Sequence, residues 1–271
     1  MIVFQRHNYL YNELLALEDK YPNIKLAQQR FASIWGGSSL LTTILSCIQN
    51  AFNVQNWNNW DFILNLSETD FPIKPISDLE RYLSLNKEKN FVKSHGKNTY
   101  DFVHMQAADK IFIECENHMF RIGNRQLIEG IVWDGGSDWF VLSRNFSHYI
   151  TNTDDELLSS LKSYFRYSLL PAEAFFHIVL RNSEFCTTIV NNNLRVTNWN
   201  RKKGCKCQHK YVVDWCGCSP IAFRHTDVSR LPTTQSKPFF FARKFEHVVD
   251  SDIIDFVEQS YLLNGHDHSE Q

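Results

Sequence analysis

Residues 60–85, WDFILNLSETDFPIKPISDLERYLSL, read as one α/β unit. Trp60 to Leu66 is an apolar run of strand length, and it ends in the polar turn Ser67-Glu68-Thr69-Asp70. After Phe71-Pro72-Ile73-Lys74-Pro75, the hydroxyl of Ser77 is placed to cap a helix over 78–85. A strand, a turn and a helix in that order are the repeating step of α/β folds. Open α/β sheets place ligands at the C-terminal ends of their strands, so the polar residues 67–70 mark a candidate wall of a site.

The flanking sequence continues the alternation. On the N-terminal side, residues 12–20 carry Leu14, Leu15 and Leu17 among good helix formers and stop at Pro22; 23–26 reads as a short strand. Ile34-Trp35-Gly36-Gly37-Ser38-Ser39 then feeds a helical apolar pattern over 40–52. A glycine-rich loop at a helix start lets backbone approach a phosphate or sugar, though the same residues also make an ordinary turn and cap. On the C-terminal side, 91–96 reads as a strand and turn, and 111–115 with 119–122 as a strand pair at the sheet margin. Asp154-Asp155-Glu156 opens a helix to about Tyr164, where acids suit the helix dipole. Pro171-Ala172-Glu173 opens another over 174–180, a short aromatic strand ends in Arg243-Lys244, and an amphipathic helix over 253–263 precedes a polar tail.

Gly130 to Leu142 contains Trp133-Asp134-Gly135-Gly136-Ser137-Asp138-Trp139. A Gly-Gly turn joining two strands explains the glycines but not the carboxylates beside rings. Carboxylates that take hydrogen bonds from hydroxyls, next to a ring that covers an apolar face, are a common way to hold a sugar.

The 271 residues carry a net charge of −2, which gives no global attraction to nucleic acid or to an anionic membrane. Aromatic residues are abundant, and most of them are expected to pack the core. No run of 18 apolar residues occurs, and the first residues form neither a signal peptide nor an anchor. Four of the seven cysteines fall in Cys205-x-Cys207 and Cys216-x-Cys218. The pairs Cys205–Cys218 and Cys207–Cys216 share one register, as facing residues of an antiparallel hairpin do, which suggests two nested disulfides. Zinc and reduced thiols compete with that reading, although structural zinc sites favour wider spacing within each cysteine pair. Disulfides would imply an oxidising compartment, with Cys186 left as an odd cysteine whose partner lies outside the chain.

Taken together, Ile34 to Gly37, 60–67, Lys93-Ser94-His95-Gly96, Trp133 to Phe140, Leu170-Pro171-Ala172-Glu173, Thr197 to Arg201, the four-cysteine segment and 240–245 resemble the protein O-xylosyltransferases. That family also contains the β-1,6-N-acetylglucosaminyltransferases. The resemblance implies a GT-A-type α/β nucleotide-sugar glycosyltransferase fold over residues 1–250, with a terminal helix and tail over 251–271. It implies an inverting transfer of xylose from UDP-xylose to a serine of a proteoglycan core protein, starting the linker of heparan and chondroitin sulfate. The alternatives are a β-1,6-N-acetylglucosaminyltransferase or an inactive fragment.

By motif match, Glu173 is the general base, a carboxylate with an ordinary pKa of ~4.3 that takes the serine proton. Ile34, Trp35 and Gly36 wall the nucleotide sugar, Asp138 and Trp139 contact the donor, and Ser219 contacts UDP. Arg243 and Lys244 neutralise the departing UDP in place of a divalent metal, so no cofactor or metal is expected at the chemical step. By charge alone, Arg201, Lys202, Lys203 and Lys206 suit the acidic Ser-Gly segments of core proteins, and they read equally as a solvated surface. The resemblance implies the Golgi or late ER lumen and membrane association through an N-terminal anchor absent from this chain. It begins only near Ile2, with Phe4 where the family has an aspartate on the nucleotide, so the first strand region of the fold is expected to be missing.

Overall fold

In the computed structural model, residues 8–263 are described except 28, 56, 58 and 200–219. The elements in chain order are α1 (Asn8–Lys20), α2 (Ser38–Asn53), β1 (Phe62–Leu64), β2 (Asp70–Pro72), α3 (Ile76–Leu85), β3 (Asn90–Ser94), α4 (Thr99–Gln106), β4 (Lys110–Cys115), β5 (His118–Asn124) and β6 (Gly136–Ser143). There follow α5 (Arg144–Asn152), α6 (Glu156–Phe165), α7 (Phe175–Arg181), β7 (Ile189–Asn191), β8 (Arg195–Thr197), α8 (Pro232–Gln235), β9 (Phe241–Arg243) and α9 (Asp252–Val257). No helix among the described residues is long and apolar enough to cross a membrane.

Two sheets organise the chain. The larger has the order β1-β6-β3-β7, with β6 antiparallel to both neighbours and β7 parallel to β3. Phe140 to Ser143 of β6 are all buried, as a central strand covered on both faces requires. Beneath β6 lies the main core, where Phe140 meets Phe176 with ring centroids 4.6 Å apart and Phe146, Ile150, Leu158 and Phe175 are fully enclosed. The smaller sheet has the order β2-β9-β8. Side chains alternate along strands, so the register puts Phe71, Ala242 and Val196 on one face and Asp70, Arg243 and Arg195 on the other. The first face packs into a second core with Ile73, Phe223, Ile253 and Val257. The other turns toward β6, and this places a charged layer beside the candidate site.

Several expectations are corrected. Residues 23–26 form no strand beyond a single bridge at Leu26. Pro75, not Ser77, precedes α3, with no side-chain cap; the fixed proline φ suits a helix start. The strand pair β4–β5 bonds to itself as a separate two-stranded sheet and is not a margin of the larger one. The glycine pair joins no two strands: Gly136 begins β6, where a Cβ would overlap the Lys93 carbonyl of β3, so glycine permits the close pairing there. Helices α4 and α5 lie outside the sequence expectations. Each has a local N-cap, Asn98 accepting from Asp101 N at 2.9 Å and Ser143 from Phe146 N at 3.3 Å. The helix expected over the acids 154–156 is capped by Asp155, which accepts from Leu158 N at 3.0 Å.

Candidate functional site

The site forms where the turn before α2 meets the turn before α7. Gly36 has φ +76°, a left-handed conformation that glycine adopts without strain, and its carbonyl accepts from Leu170 N at 2.8 Å. Leu170 itself has φ +50°, which costs a non-glycine residue about 1–3 kcal/mol. The left-handed step at Leu170 turns the chain into the single 3-10 turn Pro171–Glu173. Trp35, Gly36, Gly37, Leu40, Leu170, Pro171 and Ala172 surround a cavity of about 50 Å³ that also holds Asp138 and Glu173. Four expected site residues, Trp35, Gly36, Asp138 and Glu173, thus meet from three distant stretches. Ile34 lies behind them in the same turn, its carbonyl accepting from Gly37 N at 3.2 Å.

The two carboxylates differ in their surroundings. Burial and the nearby charge of Asp138 push the Glu173 carboxyl up to about 7, opposed by the amide of Gln106, which donates to its Oε2 at 2.9 Å. The expected ordinary pKa is therefore corrected: Glu173 is a group poised near neutrality, as a general base is best placed to be. Burial also raises Asp138, against the pull of Arg243 and Arg195. Its backbone is held from the residue after β1, since Asn65 donates to the Asp138 carbonyl at 2.8 Å and accepts from Phe140 N at 2.9 Å. Gly135 secures Glu173 from the other side. A Cβ there would strike the Phe102 ring and come within 2.7 Å of the Glu173 carbonyl oxygen.

Asp134 points elsewhere. It accepts from Ser94 Oγ at 2.6 Å, from Arg181 Nε at 2.8 Å and from its own neighbour Gly135 N at 2.7 Å. Burial opposes ionisation, yet these bonds outweigh it and hold the Asp134 carboxyl below its usual range. Nearby, buried His177 is pushed down by desolvation and shares its Nε2 with the Ser137 carbonyl at 3.0 Å, fixing the residue before Asp138.

Trp139 does not line the small cavity. Its ring lies under the guanidiniums of Arg195 and Arg243, at 4.4 and 4.3 Å. Arg243 is half-buried at the end of β9 with Lys244 next to it, and the chain after the undescribed segment returns here, Phe223 N donating to the Lys244 carbonyl at 2.7 Å. Arg195 is paired with Asp70 at 2.6 Å, and desolvation lowers it to about 10, which leaves it charged at neutral pH. Ser219, Arg201, Lys202, Lys203 and Lys206, and the pairs Cys205–Cys218 and Cys207–Cys216, lie outside the described residues. Cys186 is exposed and free among the described residues.

Sequence reasoning did not single out Asn65, Gln106 or Arg195. Arg195 carried no local signal, since an arginine next to Val196 in a short strand reads as solvent-facing, yet it is buried here.

A family model of the Core-2/I-Branching enzymes matches residues 3–226. Xylosyltransferase oxt of Drosophila melanogaster is 55% identical over 254 residues, 93% of this chain and 29% of that protein. Xylosyltransferase 2 of Pan troglodytes is 50% identical over 256 residues, 94% of this chain and 29% of the relative. A xylosyltransferase of Ciona intestinalis is 49% identical, over 94% of this chain and 30% of its own length. The chain therefore spans about three tenths of the length of the curated relatives it matches.

Proposed function

Because the chain belongs to the Core-2/I-Branching enzyme family, we propose that it is the catalytic region of an inverting protein xylosyltransferase, which moves xylose from UDP-xylose to a serine. The meeting of Glu173 with Asp138 in one narrow cavity carries this reading. Glu173 takes the proton from the serine hydroxyl as its oxygen attacks the anomeric carbon, and Asp138 accepts hydrogen bonds from the sugar hydroxyls. Trp35 and Gly36 form the wall. Arg243 and Lys244 neutralise the diphosphate as UDP leaves, so the residues themselves do what a divalent ion does in other sugar-nucleotide sites. Xylose as the sugar is supported by the names of the relatives.

The acceptor we propose is an acidic Ser-Gly segment of a proteoglycan core protein, drawn by the cations at 201–206, and the compartment is the Golgi lumen, in keeping with the paired cysteine spacing. Incubating the chain with UDP-xylose and a Ser-Gly peptide should yield xylosyl peptide. Glu173→Gln should lower that yield by roughly 10²–10⁴-fold while leaving UDP binding intact. Absence of a Glu173-dependent product would sink the proposal, and preferential transfer from UDP-N-acetylglucosamine to a glycan would replace it with the branching activity.

A further inference from the structure

Asp70 of β2 stands directly opposite Arg243 of β9, the position from which facing charges in a ladder ordinarily pair. Its ion pair runs instead past β9 to Arg195 of β8, at 2.6 Å, with the two side chains 0% and 2% exposed. Arg195 Nη2 also donates to the Asn65 carbonyl at 2.8 Å, and its guanidinium shares the Trp139 ring with that of Arg243. Arg243 Nε has no hydrogen-bond partner among the described residues.

We propose that Arg195 is a positioning residue that holds Asp70 away from Arg243, and so leaves the Arg243 guanidinium turned to the diphosphate of the nucleotide. The inference rests on the reading of Arg243 as the diphosphate cation. Asp70 is needed for another purpose: its Oδ2 accepts from Ser67 N at 2.7 Å and Ser67 Oγ at 2.8 Å and closes the turn between β1 and β2. A turn carboxylate with no other counter-ion, facing an arginine across the ladder out of contact with water, would capture it in a two-pronged pair. Arginine suits the task better than lysine, because a planar fork can stack on Trp139 and donate to the Asn65 carbonyl while its charge meets Asp70. The contact with Asp70 is a close ionic one, in which Asp70 Oδ1 and Arg195 Nε lack the alignment of a hydrogen bond.

The test is calorimetric UDP binding to the whole chain, with melting curves to verify folding. Arg243→Met sets the full loss. Arg195→Gln should weaken UDP binding by about tenfold, and adding Asp70→Asn should return it to within about threefold of the unaltered chain, a coupling that a double-mutant cycle reads directly. Equal weakness of Arg195→Gln with and without Asp70→Asn would overturn the proposal, since a purely structural arginine is not rescued by removing the carboxylate. If Arg195→Gln fails to fold, Arg195→Lys keeps the charge that occupies Asp70 and should bind UDP within about threefold of the unaltered chain. A loss as large as that of Arg243→Met would count against the sequestering account. Arg243→Met binding UDP normally, or the unaltered chain not binding it, would remove the reading of Arg243 and this inference with it.

Discussion

Asp134 and Asp138 flank the same glycine pair, yet three donors surround Asp134, while Asp138 meets the cavity wall, the like charge of Glu173 and two guanidiniums. Burial works against the charge of both. At Asp134 the hydrogen bonds win and the carboxyl stays below its usual range; at Asp138 burial wins and the carboxyl rises. The first region spends its carboxylate on joining β3, the glycine turn and α7. The second keeps an incompletely neutralised carboxylate beside Glu173, and that charge is one reason Glu173 is poised near 7. One strand entry thus serves both a scaffold and the candidate site, separated by Gly135-Gly136-Ser137, whose glycines let the backbone pass against β3 and under Glu173.

The sharpest way to break this contrast is Asp138→Asn. Removing the charge should move the pH midpoint of transfer downward from about 7, because the repulsion that helps keep Glu173 protonated is gone. If Asp138 accepts from the donor sugar as proposed, loss of that charged acceptor should at the same time lower kcat/KM by roughly 10–100-fold. A midpoint that does not move would show that Asp138 is not the charge felt by Glu173.

A smaller effect is expected at Gln106. Its amide favours the ionised form of Glu173, so Gln106→Leu should push the midpoint above 7 and cut transfer at pH 6.5 by about threefold, with recovery at higher pH. The same group leaves a mark on stability. The native Glu173 carboxyl holds its proton up to about 7 whereas the unfolded one releases it near 4.5, so the native state binds more protons between those values. Its contribution to stability is complete below the lower value and is lost as pH rises through the window. Glu173→Gln should flatten that segment of the stability profile in urea titrations.

The strand β1, the helix α3 and the apolar spacing of α2 were legible because each depends on neighbours in the chain. Strand β2, where a polar turn and a site wall were expected, was not, because it pairs in the smaller sheet and its Asp70 is buried against Arg195 away from the cavity. Trp35, Gly36, Asp138 and Glu173 stood out through their motifs, and the structure brings them around one cavity; no local pattern sets Glu173 apart from an ordinary helix-start acid. What sets the properties of Glu173 was hidden: Gln106 lies 67 residues before it, and its value comes from an enclosure made by three separate stretches. Arg195 was hidden in the same way, since Asp70 and Asn65 reach it only after β8 and β2 settle on either side of β9. Local sequence also misassigned the cap of α3 and the glycine pair, where proline geometry and the approach of β3 decide the backbone.

The least effect on catalysis is expected from Asp134→Asn, and it tests the other arm of the contrast. The amide keeps the size of the carboxylate but removes its charge, so Ser94 Oγ and Gly135 N can keep the oxygen they already share while Arg181 Nε loses its acceptor and meets an amide donor. The loss should be about 1–3 kcal/mol for buried hydrogen bonds to a charged group, nearer the low end because the Arg181 side chain is 44% exposed and screened by solvent. Urea titration at pH 7 measures it. The pH midpoint of transfer should stay at that of the unaltered chain, because Asp134 is not among the charges that act on Glu173. Should Asp134→Asn shift the midpoint as far as Asp138→Asn does, the two carboxylates belong to one electrostatic unit, and the division between scaffold and reactive centre across Gly135 and Gly136 does not hold.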